Sequence, residues 1–132
     1  MRGLLVIGHG SRRWEANATV RELARQLADD QRWEAAVAAF LEVSHPDIAE
    51  GYGVLAAGGC TEIIAYPFFL FDGNHTHRDI PAALEAARES HPATRWVLSE
   101  PLGLHACVIE AVRARLADTL VRTASSGDRD SR

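Results

Sequence analysis

Four short apolar runs alternate with four segments of helical period along this chain. GLLVIG (3–8) is apolar throughout and ends in glycine, the pattern of a strand buried on both faces. Over 15–30, Ala16, Val20, Leu23, Ala24 and Leu27 share one helical face, with Arg21, Glu22 and Arg25 on the other. AVAAFLEV (36–43) reads as a second buried strand. Pro46 suits a first helical turn, so 47–57 reads as a helix, weakened by Gly51 and Gly53 and stopped by Gly58-Gly59. TEIIAYPFFLF (61–71) is a third strand whose late pairing Pro67 limits. Pro81 opens a third helix over 80–90, which leaves 72–78 as a loop. TRWVLSE (94–100) is a fourth strand, and 104–121 a last helix with Val108, Val112, Leu116 and Leu120 in line.

This alternation predicts an α/β fold: a four-stranded parallel sheet with helices on both faces and right-handed crossovers. Residues 1–122 form one domain, and the small polar residues 123–132 a disordered tail. No internal repeat divides the chain.

Open parallel sheets bind ligands beyond the carboxyl ends of their strands. The first strand is followed there by His9-Gly10-Ser11-Arg12-Arg13, and the second ends with Glu42 before Ser44-His45. The third is followed by Asp72-Gly73-Asn74-His75-Thr76-His77-Arg78, and the fourth by Glu100-Pro101-Leu102-Gly103. Four of the six histidines (9, 45, 75 and 77) therefore share one edge of the expected sheet. Imidazoles that converge with a carboxylate suit a divalent transition metal, and an incomplete ligand set leaves positions open for a substrate. One of His75 and His77 is expected as a primary ligand, the other at the rim. Asp79 or Glu42 is available to orient a ligating ring. Glu42 ends an apolar run, where an unpaired carboxylate is costly, so a ligand or proton-acceptor role is expected of it. His45 is expected to help cap the second helix with Ser44.

Composition narrows the classes. The formal net charge of −4 does not suggest a nucleic-acid partner. No apolar run approaches the length of a membrane helix, and a strand stands where a targeting leader would lie, so the chain is read as cytoplasmic. All 14 basic residues are arginine, a side chain suited to gripping carboxylates. Cys60 and Cys107 match no CxxC spacing and are read as free thiols.

LLVIGHGSR, FLEVSHPDI and PFFLFDGNHTHRDIP, with PLG at 101–103, resemble the small single-domain type II chelatases, the sirohydrochlorin cobaltochelatases and ferrochelatases. The resemblance runs in order from about residue 3 to 120, and its most specific segment is G-x-H-x-x-x-D-I-P. It implies a chelatase-like (flavodoxin-like) three-layer sandwich. It implies insertion of a divalent metal (Co²⁺ favoured, Fe²⁺ or Ni²⁺ as alternatives) into sirohydrochlorin, in cobalamin or sirohaem synthesis. It assigns His9 and His75 as metal ligands, with Glu42 as a third residue of the site, and it implies a homodimer without an organic cofactor. His77 falls two residues beyond the family histidine. With Ser11, Arg12, Arg13 and Arg78, it is a candidate for contact with a substrate that carries eight carboxylates. Trp14 and Phe71 are candidates to lie against its flat ring.

Two other readings use the same residues. A metal or tetrapyrrole carrier would bind through the same histidines without turnover. A histidine-phosphatase-like hydrolase also has a histidine after its first strand, but needs an arginine directly before it, where this chain has Gly8.

Overall fold

In the computed structural model every residue from Gly3 to Gly8 of β1 (Arg2–Gly8) is buried. The continuous apolar run has that cause: β1 lies between two strands and beneath helices on both faces. It pairs in parallel with β2 (Ala35–Phe40) on one side and β3 (Glu62–Pro67) on the other. β4 (Arg95–Leu98) pairs with β3, giving the order β2-β1-β3-β4. The structure describes residues 1–71 and 73–126; of residues 74–76, 125 and 126 it describes the backbone alone. They fall into two compact units, Met1–Pro101 and Leu102–Arg132.

The first unit is the expected three-layer α/β sandwich. Side chains alternate across β1. Leu4 and Val6 meet Val20 and Ala24 of α1 (Trp14–Leu27) on one face. Leu5 and Ile7 meet α2 (Ile48–Ala57) and α3 (Asn74–Ser90) on the other, through Ile48, Tyr52, Leu55, Ile80, Leu84 and Ala87. Each such large side chain contributes about 1.5–3 kcal/mol when fully buried. Gly51, expected to weaken α2, has a packing reason: a Cβ there would lie 2.9 Å from Leu5 Cδ1 and 3.0 Å from Ala39 Cβ. Its absence lets α2 lie close on the sheet.

Three of the boundaries that differ from the sequence reading bear on the residues beyond the strand ends. β2 stops at Phe40, so Glu42 stands beyond the strand and is exposed. The cost of a buried carboxylate therefore does not apply to it. β3 stops at Pro67. Phe69 turns back on that residue through a 2.9 Å backbone bond to its carbonyl, and Leu70 and Phe71 are exposed. α3 begins at Asn74 and carries Pro81 in its interior. The apolar series Ile80, Leu84 and Ala87 anchors the helix, and the turn before it closes with His77 N–H donating to Gly73 O at 3.0 Å. His75, His77 and Arg78 thus belong to the opening turns of a helix rather than to a loop.

The second unit carries α4 (Ala106–Ser126), whose start is capped by His105 Nδ1 accepting from Cys107 N–H at 3.0 Å. Its aligned Val112, Leu116 and Leu120 are exposed. The helix runs past residue 122 into the expected tail, and residues 127–132 lie outside the described residues. No helix among the described residues is long and apolar enough to cross a membrane.

Tyr52 joins α2 to the start of β4. Its hydroxyl lies 2.7 Å from Thr94 Oγ1, which in turn donates to His91 O at 2.6 Å. Tyr52→Phe is expected to cost about 1 kcal/mol in urea unfolding, because it removes one buried hydrogen bond and leaves the core volume nearly intact.

Candidate functional site

β1 is the strand at which the connections reverse direction, with β2 on one side and β3 on the other. A crevice beyond its carboxyl end is where such a sheet takes a ligand. His9 is the first residue past β1 and is exposed. Its ring lies against Phe69, with centroids 4.6 Å apart and planes tilted by 41°. The segment after β3 thus supports the histidine after β1.

The segment after β2 meets the same place through its backbone. Leu41 N–H donates to Gly8 O at 2.9 Å, and Glu42 N–H to His9 O at 3.0 Å, so backbone bonds hold the two segments together just past the strand ends. Gly10 makes this approach possible. Its φ is +95°, and a Cβ there would fall 1.7 Å from Glu42 O. No side chain fits. His9 and Glu42 are therefore backbone neighbours, both with exposed side chains.

A buried amide closes the arrangement. Asn17 Oδ1 accepts from Ser11 N–H at 3.0 Å, while Asn17 Nδ2 donates to Ser11 O at 2.8 Å and to Ser44 Oγ at 2.7 Å. Ser44 Oγ donates to Ser11 O at 3.0 Å. Ser11 also accepts at Oγ from Arg13 N–H at 3.0 Å, which shapes the turn into α1. Sequence reasoning missed both Asn17 and Phe69. The signal for Asn17 was present: it falls at helical spacing from Val20 and Ala24, a polar residue on the face that packs on the sheet.

The remaining candidates separate. His45 Nδ1 lies 2.8 Å from Glu50 Oε1. The N-cap of α2 is Asp47, in a capping box with Glu50; His45 and Ser44, expected to cap it, do not. His77 lines a cavity of about 160 Å³ with Pro67, Ile80, Leu98 and Glu100, beyond the ends of β3 and β4. Arg12, Arg13 and Arg78 are exposed. Among the described residues they hold no ion pair, whereas Arg2, Arg25, Arg32, Arg88, Arg95 and Arg113 each face a carboxylate. The backbone of His75 is in the first turn of α3; its side chain lies outside the described residues, as does all of Asp72. Among the described residues no three His, Cys, Asp or Glu side chains form a group able to hold a metal.

This architecture defines a doubly wound α/β domain with an exposed histidine at the mouth of its central strand. The family model described as CbiX matches residues 3–119, and the chain belongs to that family. It is 27% identical to the chloroplastic sirohydrochlorin ferrochelatase of Arabidopsis thaliana, over 96% of this chain and 56% of that protein. It is 32% identical to a sirohydrochlorin cobaltochelatase of Methanothermobacter thermautotrophicus, over 89% of this chain and 92% of that one. The sirohydrochlorin chelatase SirB of Bacillus subtilis subspecies spizizenii, solved in complex with cobalt, superposes with a TM-score of 0.82 at 27% identity, over 89% of this chain and 50% of SirB. The chain thus spans about half the length of the plant relative and of SirB, and nearly all of the archaeal one.

The His45–Glu50 pair has a defined pH range. The hydrogen bond to Glu50, then its charge, raises the pKa of His45 above the ordinary histidine value. The bond to His45, then the one from Asp47 N–H, lowers that of Glu50. A raised imidazole stabilises fully below its ordinary pKa, and that contribution fades as pH rises through the raised value. A lowered carboxylate contributes above its ordinary value, and its share fades as pH falls through the lowered one. The pair therefore supports α2 between those limits. Glu50→Gln is expected to lower the His45 pKa toward the ordinary value in an NMR titration of the ring.

Proposed function

We propose that this chain is a sirohydrochlorin chelatase, inserting a divalent metal into the tetrapyrrole in cobalamin or sirohaem synthesis. The observation that carries this reading is the placement of His9. It is exposed at the mouth of the central strand, braced by Phe69 and backbone-locked to Glu42, in a chain of the CbiX family. The metal is a substrate. His9, His75 and Glu42 are the proposed ligands: two imidazoles and a carboxylate, a set accepted by cobalt, iron and nickel alike. Cobalt is favoured because the small archaeal relative, matched over 92% of its length, is a cobaltochelatase by name.

In the reaction the incoming M²⁺ displaces two pyrrole N–H protons, so charge balances and no electron moves. Few protein ligands, on an exposed edge, allow the metal to exchange them for four macrocycle nitrogens. An imidazole that gives up the metal frees a ring nitrogen that can accept a proton in its place. Glu42, joined to His9 through the backbone, is the proposed acceptor of the second. Ser11, Arg12, Arg13, His77 and Arg78 are the proposed contacts to the carboxylate periphery of the substrate. The three arginines bring charge that no carboxylate among the described residues neutralises. Trp14 and Phe71, both exposed, offer flat apolar faces beyond the same strand ends.

The proposed assembly is a homodimer, as the resemblance to the small single-domain chelatases implies. A cytoplasmic setting accords with two free thiols, Cys60 and Cys107.

The test is anaerobic, multiple-turnover insertion with excess sirohydrochlorin and Co²⁺, Fe²⁺ or Ni²⁺, followed by absorbance. The wild type is expected to turn over well above the protein-free rate. His9→Ala and His75→Ala are each expected to lose about 10²-fold or more, the scale of a lost general base. Stoichiometric binding without turnover would contradict the chelatase reading and leave a carrier.

A further inference from the structure

We propose that Asn17 is the positioning residue of this site: its side-chain amide sets where the Glu42 carboxylate stands relative to His9. The inference rests on the proposed use of His9 and Glu42 as metal ligands.

The two ligands come from different strands, and only one backbone bond joins them directly, from Glu42 N–H to His9 O. Beyond that bond the segments would part unless something held them. Ser11 lies two residues past His9, and Ser44 two past Glu42. Asn17 touches both. Its carbonyl oxygen accepts from Ser11 N–H, and its amide nitrogen donates to Ser11 O and to Ser44 Oγ. The acceptor and both N–H groups of the amide are engaged, which fixes its orientation: turned over, its nitrogen would face the Ser11 N–H. Asn17 is buried and sits in the first turns of α1, so the clamp is attached to a helix packed on the sheet rather than to another loop.

What the clamp restrains is a strained turn. Val43, between Glu42 and Ser44, has φ +73°, a conformation that a β-branched residue adopts rarely. Ser44 N–H donates to Glu42 O at 2.8 Å across it, closing a γ-turn. Strain of this kind persists where the surroundings over-determine it, and it clusters at functional sites. Here the surroundings are the Ser44 hydroxyl, held by Asn17 and Ser11, and the close approach of Gly10 to Glu42 O. Release of Ser44 lets the turn relax and Glu42 swing from His9. The Phe69 contact still supports His9, so the loss is specific to the carboxylate.

The experiment is Co²⁺ binding to the full chain, read by the visible d–d spectrum and by titration, in a double-mutant cycle. The variants are Asn17→Ala, Glu42→Ala and the two together, with His9→Ala as the control for the site. Asn17→Ala is expected to weaken Co²⁺ binding about 10–100-fold, the range for residues that orient ligands, and to move the d–d spectrum toward that of Glu42→Ala. In the Glu42→Ala background the same substitution is expected to change neither. A general loss of structure would weaken binding equally in both backgrounds. That outcome, or unchanged binding by Asn17→Ala, overturns the proposal. Ser44→Ala removes the far end of the clamp without touching the buried amide and is expected to reproduce the Asn17→Ala spectrum. Ser44→Thr, which keeps the hydroxyl, is expected to restore it. If His9→Ala binds Co²⁺ as the wild type does, the metal-site reading fails and the positioning role falls with it. If His9→Ala loses binding while the cycle is additive, only the positioning role falls.

Discussion

β1 is paired on both edges and packed on both faces, and this double burial fixes what surrounds it. A strand held in that way cannot slip by one residue without exchanging Leu5 and Ile7 for Leu4 and Val6 between the two cores. Its carboxyl end is therefore the best-defined point of the sheet. His9 is the next residue, so a side chain exposed to solvent is attached to the end of a strand that is buried and paired on both sides. Reactive groups held on rigid elements keep their geometry without needing burial themselves.

The loops around that point are joined more by backbone than by side chains. Backbone bonds beyond the β1–β2 ladder join His9 and Glu42, Gly10 admits the Glu42 carbonyl, and a single buried amide ties the outer ends. This leaves the imidazole and carboxylate free to face a ligand. A group that must hold a metal briefly and then release it to a macrocycle gains from such a site. Deep burial with complete coordination would hold the metal too tightly, whereas unrestrained loops would not gather the ligands.

The alternation of strand and helix, the parallel sheet and the role of its carboxyl edge were legible because they rest on periodicity and on glycine and proline punctuation. The parts that were not legible depend on distant contacts. Gly51 reads as a helix weakness until Leu5 and Ala39 are seen beneath it. Pro81 reads as a helix start, yet α3 begins seven residues earlier, because Ile80, Leu84 and Ala87 anchor a helix whose first turn is polar. Glu42 reads as a strand residue because FLEV continues an apolar run, but pairing ends at Phe40. Asn17 announces itself only as a lone polar residue on a buried face; the distant serine it meets, Ser44, leaves no mark in the sequence. The resemblance of the G-x-H-x-x-x-D-I-P segment pointed to the family that the comparison then showed.

The central claim is that the mouth of β1 presents the metal. Anomalous diffraction at the cobalt edge, from crystals equilibrated with Co²⁺ at a concentration near its dissociation constant, tests it most directly. The account predicts one dominant peak within bonding distance of a His9 ring nitrogen, with Glu42 and His75 approaching the same ion. A dominant peak elsewhere, for instance at the His45–Glu50 pair, with none at His9, would contradict it.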